Sequence, residues 1–164
     1  MHFFIAGITF IPFSVFSQSA FPANEGEPNN RNCNFTHLKL QIRFNEKQGK
    51  VIGQVMHYFT PIQAAVDSIR LHGININYNA IQLNGISVKY HADDQGVTIY
   101  PDKPLIWNSQ DSILINYDCQ PRKGIYFIGW NDGTNRCRKQ IWTQGEGEDN
   151  RYWIPMYDGL NDKM

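Results

Sequence analysis

From His37 to Phe44 polar and apolar residues strictly alternate: Leu38, Leu40, Ile42 and Phe44 fall on one side of an extended chain, His37, Lys39, Gln41 and Arg43 on the other. A period of two predicts a half-buried β-strand, because successive side chains of a strand point to opposite faces. Asn45–Gly49 supplies a turn, and an extended pattern rich in Val, Ile, Tyr and Phe resumes over Lys50–Thr60, which predicts a β-hairpin. Val66, Ile69 and Leu71 predict a further strand. Ile81–Leu83 and Ile86–Tyr90 flank Asn84–Gly85, the dipeptide best suited to a type I′ turn because both residues tolerate positive φ. Val97–Tyr100 and Ser112–Tyr117 complete the series; in the second, Ile113, Ile115 and Tyr117 alternate with Ser112, Leu114 and Asn116. No segment carries a helical period. Strands recurring about every ten residues between Gly, Pro, Asn and Asp clusters predict an all-β fold, a multi-stranded antiparallel or mixed sandwich.

The chain start follows a different pattern. Residues 3–16 are almost continuously apolar, carry no charge and precede the small residues Ser17, Ser19 and Ala20. This predicts a secretory signal peptide over residues 1–17, cut between Ser17 and Gln18, and hence a secreted, periplasmic or extracellular protein. The stretch is too short for a transmembrane helix, which needs about 20 residues. A flexible lead-in over 18–33 and a β domain over 34–164 complete the expected organisation.

Composition adds limits. With 164 residues, 41% of them hydrophobic, the chain supplies one core and excludes a disordered protein. Fifteen basic residues balance fifteen acidic ones, so there is no electrostatic footprint for nucleic acid. Cys33, Cys119 and Cys137 allow at most one internal bridge and show no C-x-x-C spacing; buried structural thiols are the expectation.

The chemistry-bearing residues are sparse. The histidines form no H-E-x-x-H pair, and there is no G-x-S-x-G elbow or phosphate-binding glycine loop. His37, His57 and His72 fall on predicted strands and are expected as surface or satisfied core residues. Trp130, Trp142 and Trp153 crowd the last stretch together with Tyr126, Phe127, Tyr152 and Tyr157, interleaved with Glu146, Glu148, Asp149 and Arg151. This cluster lacks evident strand periodicity and suits either core packing or a surface that meets a substrate or partner.

Within it, Ile141-Trp-Thr-Gln-Gly-Glu-Gly-Glu-Asp-Asn-Arg-Tyr-Trp-Ile-Pro-Met-Tyr-Asp-Gly-Leu-Asn-Asp-Lys163 resembles the T-Q-x-E … A-R-x-x-F-P-C-x-D-E-P-x-x-K segment of the aminopeptidase N family, the gluzincin zinc metallopeptidases that include leukotriene hydrolase. Arg122-Lys-Gly-Ile-Tyr-Phe127 resembles the R-x-G-L-Y/F strand that precedes that segment, in the right order. The match extends more loosely back to about Asn34.

The resemblance implies a saddle-like N-terminal β domain that packs on a zinc-bearing catalytic domain. It implies that Glu146 binds the substrate's free α-amine and that Gln144 lies beside the first side-chain pocket. A peptide N-terminus is a cation at neutral pH, and a carboxylate in a partly dry cleft makes a charge-assisted hydrogen bond with it. Pro155-Met-Tyr-Asp-Gly-Leu160 departs from the family's Pro-Cys-x-Asp-Glu-Pro, and the G-x-M-E-N strand and H-E-x-x-H helix do not occur. The expectation is therefore the N-terminal, substrate-anchoring part of a secreted zinc aminopeptidase, inactive alone, with zinc ligands and catalytic residues on a missing domain in cis. The alternative is a stand-alone secreted β-sandwich binding module.

Overall fold

The computed structural model describes residues 31–134 and 136–159. In chain order its strands are β1 (Cys33–Asn45), β2 (Lys50–Pro61), β3 (Ala65–Val66), β4 (Ile69–His72), β5 (Ile76–Leu83), β6 (Ile86–Ser87), β7 (Lys89–Ala92), β8 (Gly96–Tyr100), β9 (Leu105–Ile106), β10 (Asp111–Cys119), β11 (Ile125–Ile128) and β12 (Gln140–Thr143). A 3-10 turn over Asp149–Tyr152 is the one helical element among the described residues. β1-β2-β10-β5-β6 form a five-stranded sheet, β4-β8-β7 a three-stranded one, and β3-β9 and β11-β12 two separate pairs. Every pairing is antiparallel, so the expected all-β antiparallel architecture is present without a mixed sheet. The stretch read as a signal peptide lies outside the described residues, within which no helix is long and apolar enough to cross a membrane.

The alternation seen in the sequence becomes the core. Val51, Val55, Phe59, Ile113, Ile115 and Tyr117 turn the inner face of β2 and β10 into one buried layer, joined by Ile69, Leu71, Val97 and Ile99 from the three-stranded sheet. Each such side chain contributes about 1.5–3 kcal/mol when fully buried. In β1 the inward parity changes from Cys33 and Phe35 to Leu38, Leu40, Ile42 and Phe44. A β-bulge between Phe35 and His37 makes that change possible, because one extra residue returns the later apolar set to the core face. A second register shift, opposite Asn116 and Tyr117, does the same for Ile76 and Tyr78 against Ile81 and Leu83 on β5. Asn84 and Gly85, with φ of 51° and 81°, close the β5–β6 hairpin as the dipeptide requires.

Four expectations change. Val66, Ile69 and Leu71 do not share a strand: Val66 pairs with Leu105, whereas Ile69 and Leu71 pair with Ile99 and Val97. Two different partner strands divide the segment at Asp67–Ser68. Cys33 is not lead-in but the buried first residue of β1. Cys33 and Cys119 are buried free thiols, both pushed up to about 12 by burial, but Cys137 is exposed in the β11–β12 loop. The aromatic-rich stretch does contain strands, β11 and β12; Trp153 and Tyr157 enter the core while Trp142 stays 42% exposed, stacked on Tyr126.

His57 is a satisfied core histidine on one nitrogen only. Its Nε2–H donates to the Pro155 carbonyl at 2.7 Å, while Nδ1 is buried without a partner. Burial holds its pKa down to about 4, against the opposing effect of that hydrogen bond. The unfolded chain therefore binds a proton on this residue more readily than the folded one, and stability falls as pH drops from about 6.5 toward 4. We predict a loss of roughly 2 kcal/mol between pH 7 and 4.5 in thermal or urea unfolding. His57→Gln should remove most of that slope; an unchanged slope contradicts this assignment.

Candidate functional site

The site sits where the β11–β12 hairpin meets the C-terminal segment. Ile125 is buried, and Phe127 and Ile141 pack against the core, which places Tyr126, Trp142 and Gln144 on the opposite side of the hairpin. Gly124, at φ 80°, turns the chain into β11; a Cβ there would lie 2.2 Å from the Asp149 carbonyl oxygen. The glycine of the R-x-G-L-Y motif is thus the point at which the 3-10 turn rests on the start of the hairpin. Its carbonyl accepts the Gln144 N–H at 2.9 Å.

Gln144 and Glu146, the two residues singled out from the sequence, lie together on the loop that leaves β12, and both are exposed. Gln144 Nε2 approaches Glu146 Oε2 at 3.5 Å, the outer limit of a hydrogen bond. Gly145 lies between them beneath the Asn150 amide, whose Nδ2 would be 2.5 Å from an added Cβ. The loop then passes Gly147 and reaches Glu148, whose Oε1 pairs with Arg151 Nη2 at 2.8 Å.

Arg151 carries more than that pair. Its Nε donates to Asp158 Oδ2 at 3.2 Å, its backbone N–H donates to the same oxygen at 3.3 Å, and its Nη2 donates to the Asp158 carbonyl. Asp158 N–H in turn donates to His72 Nδ1 at 3.1 Å, and His72 and Met156 exchange backbone hydrogen bonds of 2.8 and 2.9 Å. Burial, then the charge of Arg151, holds His72 below the usual histidine range. Arg151 and Asp158 stand at matched positions of the resembling motif, where the resemblance implies no task for either. The signal was their opposite charge at a separation of seven residues. Beside the departures at Met156 and Gly159, Asp158 matches the family pattern and fixes the local geometry through Arg151 and His72.

The described residues do not fit a zinc site. No three His, Cys, Asp or Glu side chains converge among them. The buried His57 has its Nε2 committed to Pro155, and the buried thiols of Cys33 and Cys119 are held in the protonated form, the wrong state for a metal ligand. What the arrangement offers instead is an exposed carboxylate beside a side-chain amide on a loop fixed at both ends.

The family model described as the peptidase M1 N-terminal domain matches residues 28–163. Among curated proteins none matches the chain. A mutant M1 zinc metallopeptidase from Deinococcus radiodurans, solved with a Tyr-Ser-Ala substrate, is similar over 80% of this chain and 31% of its own, with 18% identity and a TM-score of 0.65. Yeast LTA4 hydrolase in complex with bestatin is similar over 90% of this chain and 24% of its own, with 13% identity and a TM-score of 0.66. At these identities the likeness is one of fold. The chain spans less than a third of the length of either structure.

Proposed function

The chain belongs to the peptidase M1 N-terminal domain family, and from that membership we propose that it is the substrate-anchoring and scaffold domain of a secreted zinc aminopeptidase. The observation that carries the proposal is the placement of Glu146 and Gln144 on one exposed loop secured at Gln144 by Gly124 and at Glu148 by Arg151. In this reading the Glu146 carboxylate accepts hydrogen bonds from the ammonium of a peptide N-terminus, and the Gln144 amide borders the first side chain. An internal peptide bond offers no such cation, so the anchor selects free N-termini and places the first peptide bond at a fixed distance from it.

Exposure sets a limit on what the chain does alone. A solvent-exposed ion pair is worth about 0–1 kcal/mol, too little to hold a peptide. The anchor gains strength when another surface excludes water from it, and in this proposal that surface is a zinc-bearing catalytic domain in cis. The described residues bind no zinc and take no step in the hydrolysis; their part is to orient the amine.

The test is amino-acid release. The 164-residue chain should release none from free-amine peptides, and the coding sequence extended through a downstream H-E-x-x-H should encode a protein whose release is abolished by chelator. Chelator-sensitive activity in the 164-residue chain itself, or an extended protein without activity, overturns the proposal. Secretion has its own check: the mature N-terminus should be Gln18, and a mature chain beginning at Met1 or His2 contradicts it.

A further inference from the structure

We infer that Arg151 is the positioning residue of the amine anchor, an inference that rests on the role given above to Glu146. The loop from Gln144 to Glu148 is an arch with Glu146 at its centre. One foot is the Gln144 N–H on the Gly124 carbonyl, 2.9 Å, and the other is the Glu148 carboxylate on the Arg151 guanidinium, 2.8 Å. The arch itself is exposed, so its order comes from what its feet stand on.

Arg151 is fixed without reference to the arch. Its side chain is 15% exposed against 44% for Glu148, and Asp158, 12% exposed, takes its Nε. Its carbonyl accepts the Ile74 N–H at 2.9 Å, which ties the 3-10 turn to the connection between β4 and β5. Asp158 is held by His72 on β4. The guanidinium therefore joins the half-buried carboxylate of Asp158, a residue whose backbone N–H is held by the three-stranded sheet, to the exposed carboxylate at the end of the arch. A planar fork serves both acceptors in fixed directions, which a lysine ammonium does not do. Asn150, the preceding residue, covers Gly145 from the same turn, so this contact and the Glu148 foot issue from one short element. An anchor ordered beforehand loses less freedom when the amine arrives, and the consequence is a lower KM for free-amine peptides.

The test uses Arg151→Lys and Glu148→Gln. Glu148 is exposed, so Glu148→Gln leaves the fold intact even if Arg151→Lys weakens it. In the full-length zinc enzyme, KM for free-amine peptides should rise roughly tenfold in Arg151→Lys and roughly threefold in Glu148→Gln. The kcat should change less, and N-acetylated peptides should be unaffected. In the 164-residue chain, NMR order parameters of residues 145–147 should fall from near 0.85 toward about 0.6 in both variants. An arch that stays ordered, or an equal change for blocked and free peptides, overturns the positioning role of Arg151. If Glu146→Ala alone lost amine selectivity, the positioning role would fall while the anchor stood. If none of the three variants lost it, the anchor reading itself would fall, and this inference with it.

Discussion

In the proposed full-length zinc enzyme, Glu146→Ala is expected to lower kcat/KM for free-amine peptides by about 10- to 150-fold, while N-acetylated peptides change little. The magnitude follows from a charge-assisted hydrogen bond worth about 1.5–3 kcal/mol in a water-poor site. The loss cannot be ascribed to unfolding. Glu146 is exposed, and Gln144 Nε2 comes only to 3.5 Å from its carboxylate. Substitution at such a position changes stability by no more than about 0.5 kcal/mol. Glu146→Gln keeps the shape and removes the charge, so it should fall between wild type and alanine. Equal losses for free and blocked peptides would show that Glu146 has a task other than holding the amine.

A large loss of stability is expected at Gly124. Alanine there must adopt a φ near 80° and bring its Cβ to 2.2 Å from the Asp149 carbonyl oxygen and 2.8 Å from Trp153 Cδ1. The left-handed conformation costs an L-residue about 1–2 kcal/mol. Because the obstructing atom is backbone, relief requires the whole 3-10 turn to move, which costs about 1–3 kcal/mol more. We expect Gly124→Ala to lose about 4 kcal/mol and about 10 °C in Tm. Gly133→Ala, where an added Cβ meets nothing within 4 Å, is the control and should change Tm by under about 2 °C. Similar melting of the two variants contradicts the account of the motif glycine. The Gly124 carbonyl also holds Gln144, so Gly124→Ala should weaken the substrate anchor in proportion.

What the sequence made legible depended on how far each strand spoke for itself. β1, β2 and β10 bury one face over long runs, so the alternation of Leu38–Phe44 and Ile113–Tyr117 marks them directly. The bulge at Phe35/His37 has no such mark, since residues on either side of it alternate correctly with themselves and only the partner strand reveals the shift. β3, β6 and β9 are two residues long and exist through their partners alone. The β11–β12 hairpin is marked by no periodicity, only by the resemblance of residues 122–127 to a family strand, because aromatic side chains occupy both of its faces: Phe127 packs inward while Tyr126 and Trp142 stack outward at 4.4 Å. Polarity alternation is absent where both faces are aromatic.

The site was legible in a different way. Gln144 and Glu146 came from a motif, and no periodicity or composition would have selected them from the other exposed polar residues. The clamp around Arg151 was visible only as charges in that motif. Its charged partners Glu148 and Asp158 are near it in sequence, but His72, 86 residues from Asp158, is joined to the clamp by the fold alone. Within Pro155–Leu160, which departs from the family pattern, Asp158 matches that pattern, and it is the residue that contacts Arg151 and His72.

The central claim is that Glu146 receives the substrate's N-terminus. A crystal structure of the full-length zinc enzyme, made inactive in its catalytic domain and soaked with a free-amine tripeptide, tests it most directly. The account predicts the peptide's α-amine nitrogen at about 2.7–2.9 Å from a Glu146 carboxylate oxygen, with the first side chain beside Gln144. A peptide whose amine lies elsewhere, with Glu146 still facing solvent, would contradict it.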